Sequence, residues 1–125
     1  MKKIISTPNA PAAIGPYSHA VLVGDTLYTS GQIAINPATG NIVGPTIEEQ
    51  TTQVMKNLGQ ILEAAGFAYS DVVKTTVFIS DMASFGTVNK IYGEYFADNA
   101  PARSCVEVKS LPKGALIEVE VIAQK

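Results

Sequence analysis

An α+β domain is the class this sequence predicts: a mixed sheet of five or six strands with two helices on one face. Three observations predict it. Segments 46–66 and 84–96 carry apolar residues at helical spacing, each between a start and a stop signal. Segment 116–123 alternates with period two, the mark of a strand buried on one side. Five of the seven prolines (Pro8, Pro11, Pro16, Pro37 and Pro45) fall early, so the first third consists of short strands and fixed loops. Two helices can cover only one face of such a sheet.

The elements follow in order. Lys2–Ser6 is a short strand. Ala20–Val23 and Thr26–Ile35 form a hairpin around Gly24-Asp25. Asn36–Asn41 is a turn cluster. Thr46-Ile47-Glu48-Glu49 is a capping box, in which Glu49 reaches back to the start of the helix. Ile47, Thr51, Val54, Leu58, Ile61, Leu62 and Ala65 make the apolar stripe of that helix, and Gly66 ends it. Val72–Ile79 is a buried strand. Ser84 caps a second helix with the stripe Phe85, Val88, Tyr92 and Phe96, which ends before Pro101. Arg103–Val108 and Leu116–Ala123 are the closing strands, separated by Leu111-Pro112-Lys113-Gly114.

The 125 residues fit one domain, 1–125. Hydrophobic residues are 46% and charged residues 16%, which excludes a disordered chain. A net charge of −2 argues against a nucleic-acid binder, which needs a basic surface. Single residues exclude more. Cys105 is the one cysteine, His19 the one histidine, and Arg103 the one arginine among nine basic residues. One Cys makes no intrachain disulfide, which fits a reducing compartment. One His and one Cys far apart make no ordinary zinc site. No apolar run approaches the roughly 20 residues of a membrane span. Ser6-Thr7-Pro8-Asn9 follows Met1–Ile5 directly, so no signal-peptide core is present, and the expected location is the cytoplasm.

The candidate chemistry rests on few side chains. Arg103 opens a strand and offers a planar fork that can pair a carboxylate bidentately. It is either an anchor for a small acid or a structural partner of Glu107, Glu118 or Glu120. Glu118 and Glu120 share a strand face. They can supply a general base beside an Arg, or simply make a solvated face. Cys105 reads as a small half-buried side chain rather than a nucleophile, and His19 as a surface residue. Gly31, inside an apolar strand, marks either a bulge or a close approach to the backbone. Gly15-Pro16-Tyr17 is a rigid turn presenting an aromatic ring. Alternation along the last two strands gives the sheet one apolar face for the helices and one mixed face with charges, and the mixed face is either plain solvent surface or an assembly surface with pockets.

Several segments together resemble a known family. They are Asn9–Ser18 (NAPAAIGPYS), Thr29–Ile33 (TSGQI), Val73–Phe78 (VKTTVF), Pro101–Val108 (PARSCVEV), Leu111-Pro112 and Ile117–Glu120 (IEVE). In order and over essentially the whole chain, they resemble the Rid family of reactive intermediate deaminases, also called YjgF-like, and its RidA subfamily. The resemblance implies a chorismate-mutase-like fold and a homotrimer with a central barrel-like core, with active sites between subunits. It implies hydrolysis of 2-iminobutanoate and 2-iminopropanoate to 2-oxo acids and ammonia, with no cofactor, metal, nucleic acid or membrane. Arg103 then matches the residue binding the substrate carboxylate, and Glu118 the acid that positions or activates water. Tyr17, Ser30, Gly31, Asn89 and Cys105 match substrate-binding positions. A non-catalytic protein that binds small carboxylates is the alternative. A ribonuclease, the label of some relatives, is disfavoured by the acidic charge balance.

Overall fold

The computed structural model describes residues 1–125. Six strands and two helices follow in chain order. They are β1 (Lys2–Ile5), β2 (Ala20–Val23), β3 (Thr26–Thr29), α1 (Ile47–Ala64), β4 (Val72–Ile79), α2 (Phe85–Tyr95), β5 (Ala102–Glu107) and β6 (Ile117–Gln124). They form one six-stranded sheet in the order β1-β2-β3-β6-β4-β5. Neighbours are antiparallel except β4 and β5, which run parallel. A parallel pair needs a crossover, and α2 supplies it.

Both helices lie on one face. α1 packs on β6 and on α2. Its Met55, Leu58, Ile61 and Leu62 join Leu27, Val77, Ile117 and Val119 of the sheet in the core cluster. Leu58 and Ile61 are at most 1% exposed, and each such side chain contributes about 1.5–3 kcal/mol by leaving water. The Gly66 stop is present in full. Gly66 has φ +81°, its N–H donates to Glu63 O, and the Phe67 N–H donates to Leu62 O. These bonds satisfy the last carbonyls of α1.

Three expectations change. The strand beginning at Thr26 ends at Thr29, and beyond it only Gln32 and Ile35 make isolated bridges. Ser30 turns its hydroxyl back to Ser18 O, and Gly31 gives way to a side chain from β6, so the ladder is interrupted there. The capping box is half of one. Thr46 Oγ1 accepts from the Glu49 N–H at 3.2 Å, but the Glu49 carboxylate accepts a hydrogen bond from the Thr46 hydroxyl at 2.8 Å rather than from its backbone. Ser84 makes no capping bond, because it is already helical (φ −83°, ψ −2°) at the end of a 3-10 turn, Met82–Ser84. Asp81 caps that turn by accepting from the Ala83 N–H at 2.9 Å.

The face away from the helices carries no covering element. Strand register puts Ile4, Val23, Tyr28, Val106, Glu118 and Glu120 on it. Ile4, Val23, Tyr28 and Val106 are 43–51% exposed. This is a sheet face with large apolar side chains in solvent.

Candidate functional site

Glu118 is placed by the alternation of β6. Ile117, Val119 and Val121 point into the core, so Glu118 and Glu120 must point to the open face. The Glu118 carboxylate lies directly over Gly31, where any Cβ would overlap it. What approaches the glycine is therefore a side chain of the same protein. Gln32 and Val119 exchange both backbone hydrogen bonds, at 2.8 and 3.1 Å, which holds this close approach in place.

A cleft of about 340 Å³ opens at this point, lined by Pro11, Ile14, Tyr17, Ser30, Gly31, Gln32, Pro112 and Glu118 among others. That is the size of a small-ligand site. Burial raises the Glu118 carboxyl above its ordinary value, and the charge of Glu120 raises it further. Ser30, which lines the cleft, donates its Oγ hydrogen to Ser18 O at 2.6 Å. Tyr17, 47% exposed, brings its hydroxyl to the Ile14 N–H at 3.4 Å.

Arg103 sits elsewhere. In register it pairs with Thr75, whose side chain is buried under α2, so Arg103 lies on the helix-covered face. It is held by one face of α2. Phe85, Asn89 and Tyr92 recur at i, i+4 and i+7, and all three touch the guanidinium. NH1 donates to Asn89 Oδ1 at 2.6 Å. The ring centroids of Tyr92 and Phe85 lie 4.9 and 5.3 Å from Cζ. The Tyr92 hydroxyl is fixed in turn by Thr75 Oγ1 at 2.8 Å. The guanidinium makes no other hydrogen bond within the chain, so one edge of its fork remains for a carboxylate.

The alternative reading of Arg103, a structural partner of Glu107, Glu118 or Glu120, does not occur within the chain. Glu118 and Glu120 lie on the opposite face of the sheet, and Glu107 accepts the Met82 N–H at 2.7 Å. A carboxylate pair beside an Arg does not occur within one chain. Cys105 lies two residues along β5 on the same face as Arg103 and packs on the core. Burial pushes its thiol up while Arg103 pulls it down, and the net shift disfavours the nucleophilic thiolate.

The expected residues thus fall into two groups. Tyr17, Ser30, Gly31 and Glu118 surround the cleft. Asn89, Arg103 and Cys105 lie at the β5 edge. Three contributors were not singled out from sequence. Gln32 lines the cleft at 5% exposure, and its neighbour Gly31 was the available signal. Phe85 and Tyr92 read as core stripe residues, and the signal lay in their spacing with Asn89. His19 is also misplaced by the sequence, since it is buried, at 5% exposure. No three His, Cys, Asp or Glu side chains converge on a point that could hold a metal ion. No helix is long and apolar enough to cross a membrane.

Comparison with known proteins adds the following. Residues 7–125 match the family described as Endoribonuclease L-PSP. The chain is 54% identical over 123 residues to a rat 2-iminobutanoate/2-iminopropanoate deaminase, covering 98% of this chain and 90% of the rat protein. A Yersinia pestis structure, described as of the conserved Rid protein family, superposes with TM-score 0.98 at 52% identity and covers both chains completely. The structure of Escherichia coli TdcF with bound serine matches with TM-score 0.95 at 42% identity, over 98% of each chain.

Proposed function

The chain belongs to the Endoribonuclease L-PSP family, which includes the YjgF and Rid proteins, and on that premise we propose that it is a 2-iminobutanoate/2-iminopropanoate deaminase. It is then a hydrolase acting on the C–N bond of an imine. Water and a 2-imino acid give a 2-oxo acid and ammonia.

The observation that carries this reading is the division of the site into two complementary halves. One half is a rigid guanidinium with an open edge, suited to the carboxylate of a 2-imino acid. The other is a cleft holding a carboxyl of raised proton affinity, suited to handling the proton of an attacking water. An imine carbon is already electrophilic, so no strong nucleophile is needed. Glu118 takes a proton as the water oxygen bonds to the carbon of the protonated imine, and the C=N pair moves to nitrogen, giving a neutral carbinolamine. The Glu118 proton then passes to the amine nitrogen, the C–N bond breaks as the oxygen pair forms C=O, ammonia leaves, and the hydroxyl proton returns to Glu118. Arg103 holds the carboxylate, and such positioning is worth several kcal/mol. Cys105 lies beside the Arg103 anchor as a neutral wall.

The two halves meet between copies of the chain. A homotrimer with open sheet faces turned inward would cover Ile4, Val23, Tyr28 and Val106, and it would set the β5 edge of one copy over the cleft of the next. Arg103, Asn89 and Cys105 then serve the Glu118, Gly31, Ser30 and Tyr17 of a neighbour. RNA cleavage is disfavoured by the net charge of −2 and by a cleft whose one ionisable acid or base is Glu118, apart from the Tyr17 phenol.

The test is release of 2-oxo acid from 2-aminoacrylate generated in situ. The protein is expected to accelerate it over the spontaneous rate. Arg103→Ala is expected to lower kcat/KM on the order of 10²–10⁴-fold, the loss of two charge-assisted hydrogen bonds. Equal rates in both proteins would contradict the role of Arg103. Saturable binding of a small carboxylate without acceleration would favour a binding protein instead, the reading to which the bound serine of the E. coli relative points.

A further inference from the structure

We propose that His19 is a positioning residue, whose neutral ring with the proton on Nε2 clamps the Thr7–Pro11 segment and so sets the wall of the cleft facing Glu118. The ring bonds allow only this tautomer. Nδ1 lies 3.2 Å from the Thr7 backbone N, which can only donate, so Nδ1 must present its lone pair. Nε2 lies 2.7 Å from Pro11 O, which can only accept, so Nε2 must carry the proton. Both bonds are long in sequence, spanning 12 and 8 residues.

Apart from the packing of Ala10 into the core at 3% exposure and the bond from Asn9 N–H to Thr7 Oγ1 at 3.2 Å, the segment has few bonds of its own. Residues 6–18 lie outside the sheet ladder, and one backbone–backbone bond lies within them, Tyr17 N–H to Gly15 O at 2.8 Å. Pro11, Ile14 and Tyr17 of this segment line the cleft. The backbone of His19 fixes the adjoining wall, since its carbonyl accepts from the Ser30 N–H at 2.9 Å. One residue therefore ties two walls together, its ring holding the loop and its carbonyl holding Ser30. The ring lines no part of the cleft, so its effect on a ligand passes through Pro11 and its neighbours.

The inference rests on the proposed reaction for its kinetic readout only. Three measurements on the full chain test it: ring ¹⁵N shifts, deaminase kinetics, and amide exchange over residues 9–17. The expected shifts show an unprotonated Nδ1 and a protonated Nε2. His19→Leu removes both ring bonds, and KM is expected to rise roughly ten- to thirtyfold, more than kcat falls, with faster exchange in the loop. His19→Gln is expected to restore KM and exchange. Its amide oxygen can accept from Thr7 N–H while its NH₂ donates to Pro11 O. A ring protonated on Nδ1, wild-type KM and exchange in the Leu variant, or a Gln variant that behaves like Leu would each overturn the inference. If His19→Leu does not fold, the ¹⁵N shifts and the Gln variant decide. Absence of turnover in the wild-type protein would overturn the deaminase reading instead, leaving the shifts and the exchange to judge His19.

Discussion

Arg103 and Glu118 occupy opposite faces of one sheet, on strands separated by β4. Their environments are tuned in different ways. Arg103 is stacked against two rings and oriented by Asn89, an arrangement that a flexible lysine could not copy. Glu118 is desolvated over Gly31 and faces Glu120, so its carboxyl binds a proton more tightly than the ordinary value of 4.5. Neither cause involves Arg103 of the same chain. A shared site changes that, because a neighbour's guanidinium favours the carboxylate. Removing the guanidinium must then raise the Glu118 midpoint. Side-chain ¹³C titration is expected to place Glu118 higher in Arg103→Ala than in wild type, and an unchanged midpoint would contradict the shared site. Linkage has a definite sign here. A group whose folded-state proton affinity is raised contributes stability at low pH that is lost as pH rises through its folded midpoint.

Elements were the most legible scale in the sequence. The alternation of Ile117, Glu118, Val119, Glu120 and Val121 fixed both the strand and its inward face. The Gly66 stop was legible because a left-handed residue is needed there, and Gly meets that need. The Thr26 strand ends at Thr29, short of the Ile35 that its apolar run suggests. That run continues, but Ser30 turns its hydroxyl to Ser18 O and Gly31 lies against the Glu118 carboxylate, which no local pattern shows. His19 was misplaced for a similar reason, since its Pro-rich surroundings suggest surface while the pairing of Ile5 with Ala20 carries it inward. Gly59 offers a test at this scale. Propensity alone says that Ala in a helix gains about 1 kcal/mol over Gly. The Tyr69 hydroxyl, however, donates to Met55 O at 2.6 Å across the bare face of Gly59, where a Cβ would overlap it. Tyr69 also packs on Tyr95 and Phe96, so its ring cannot simply step aside. Displacing it costs the hydrogen bond and ring packing, together about 1.5–3 kcal/mol, which outweighs the propensity gain. Gly59→Ala is expected to lower Tm, and adding Tyr69→Phe to recover part of the loss. A Tm raised by Gly59→Ala alone would contradict this packing.

At the scale of the molecule, strand alternation gave the two faces of β5 and of β6 separately. It did not say which face of one matches which face of the other. That depends on register through β4, where Thr75 pairs with Arg103 while Phe78 pairs with Glu118. Register is a non-local property, so the split of the candidate site was not visible until the sheet was assembled. The split, together with the uncovered apolar face, underlies the central proposal of one site built from two chains. Mixing two inactive variants tests it most directly. Arg103→Ala and Glu118→Gln are refolded together and hetero-oligomers are confirmed by native mass spectrometry. Some interfaces then pair an intact Arg103 with an intact Glu118 from different copies, and 2-imino acid hydrolysis is expected to return well above the level of either variant alone. Hetero-oligomers that form and remain as inactive as their parents would contradict the shared site.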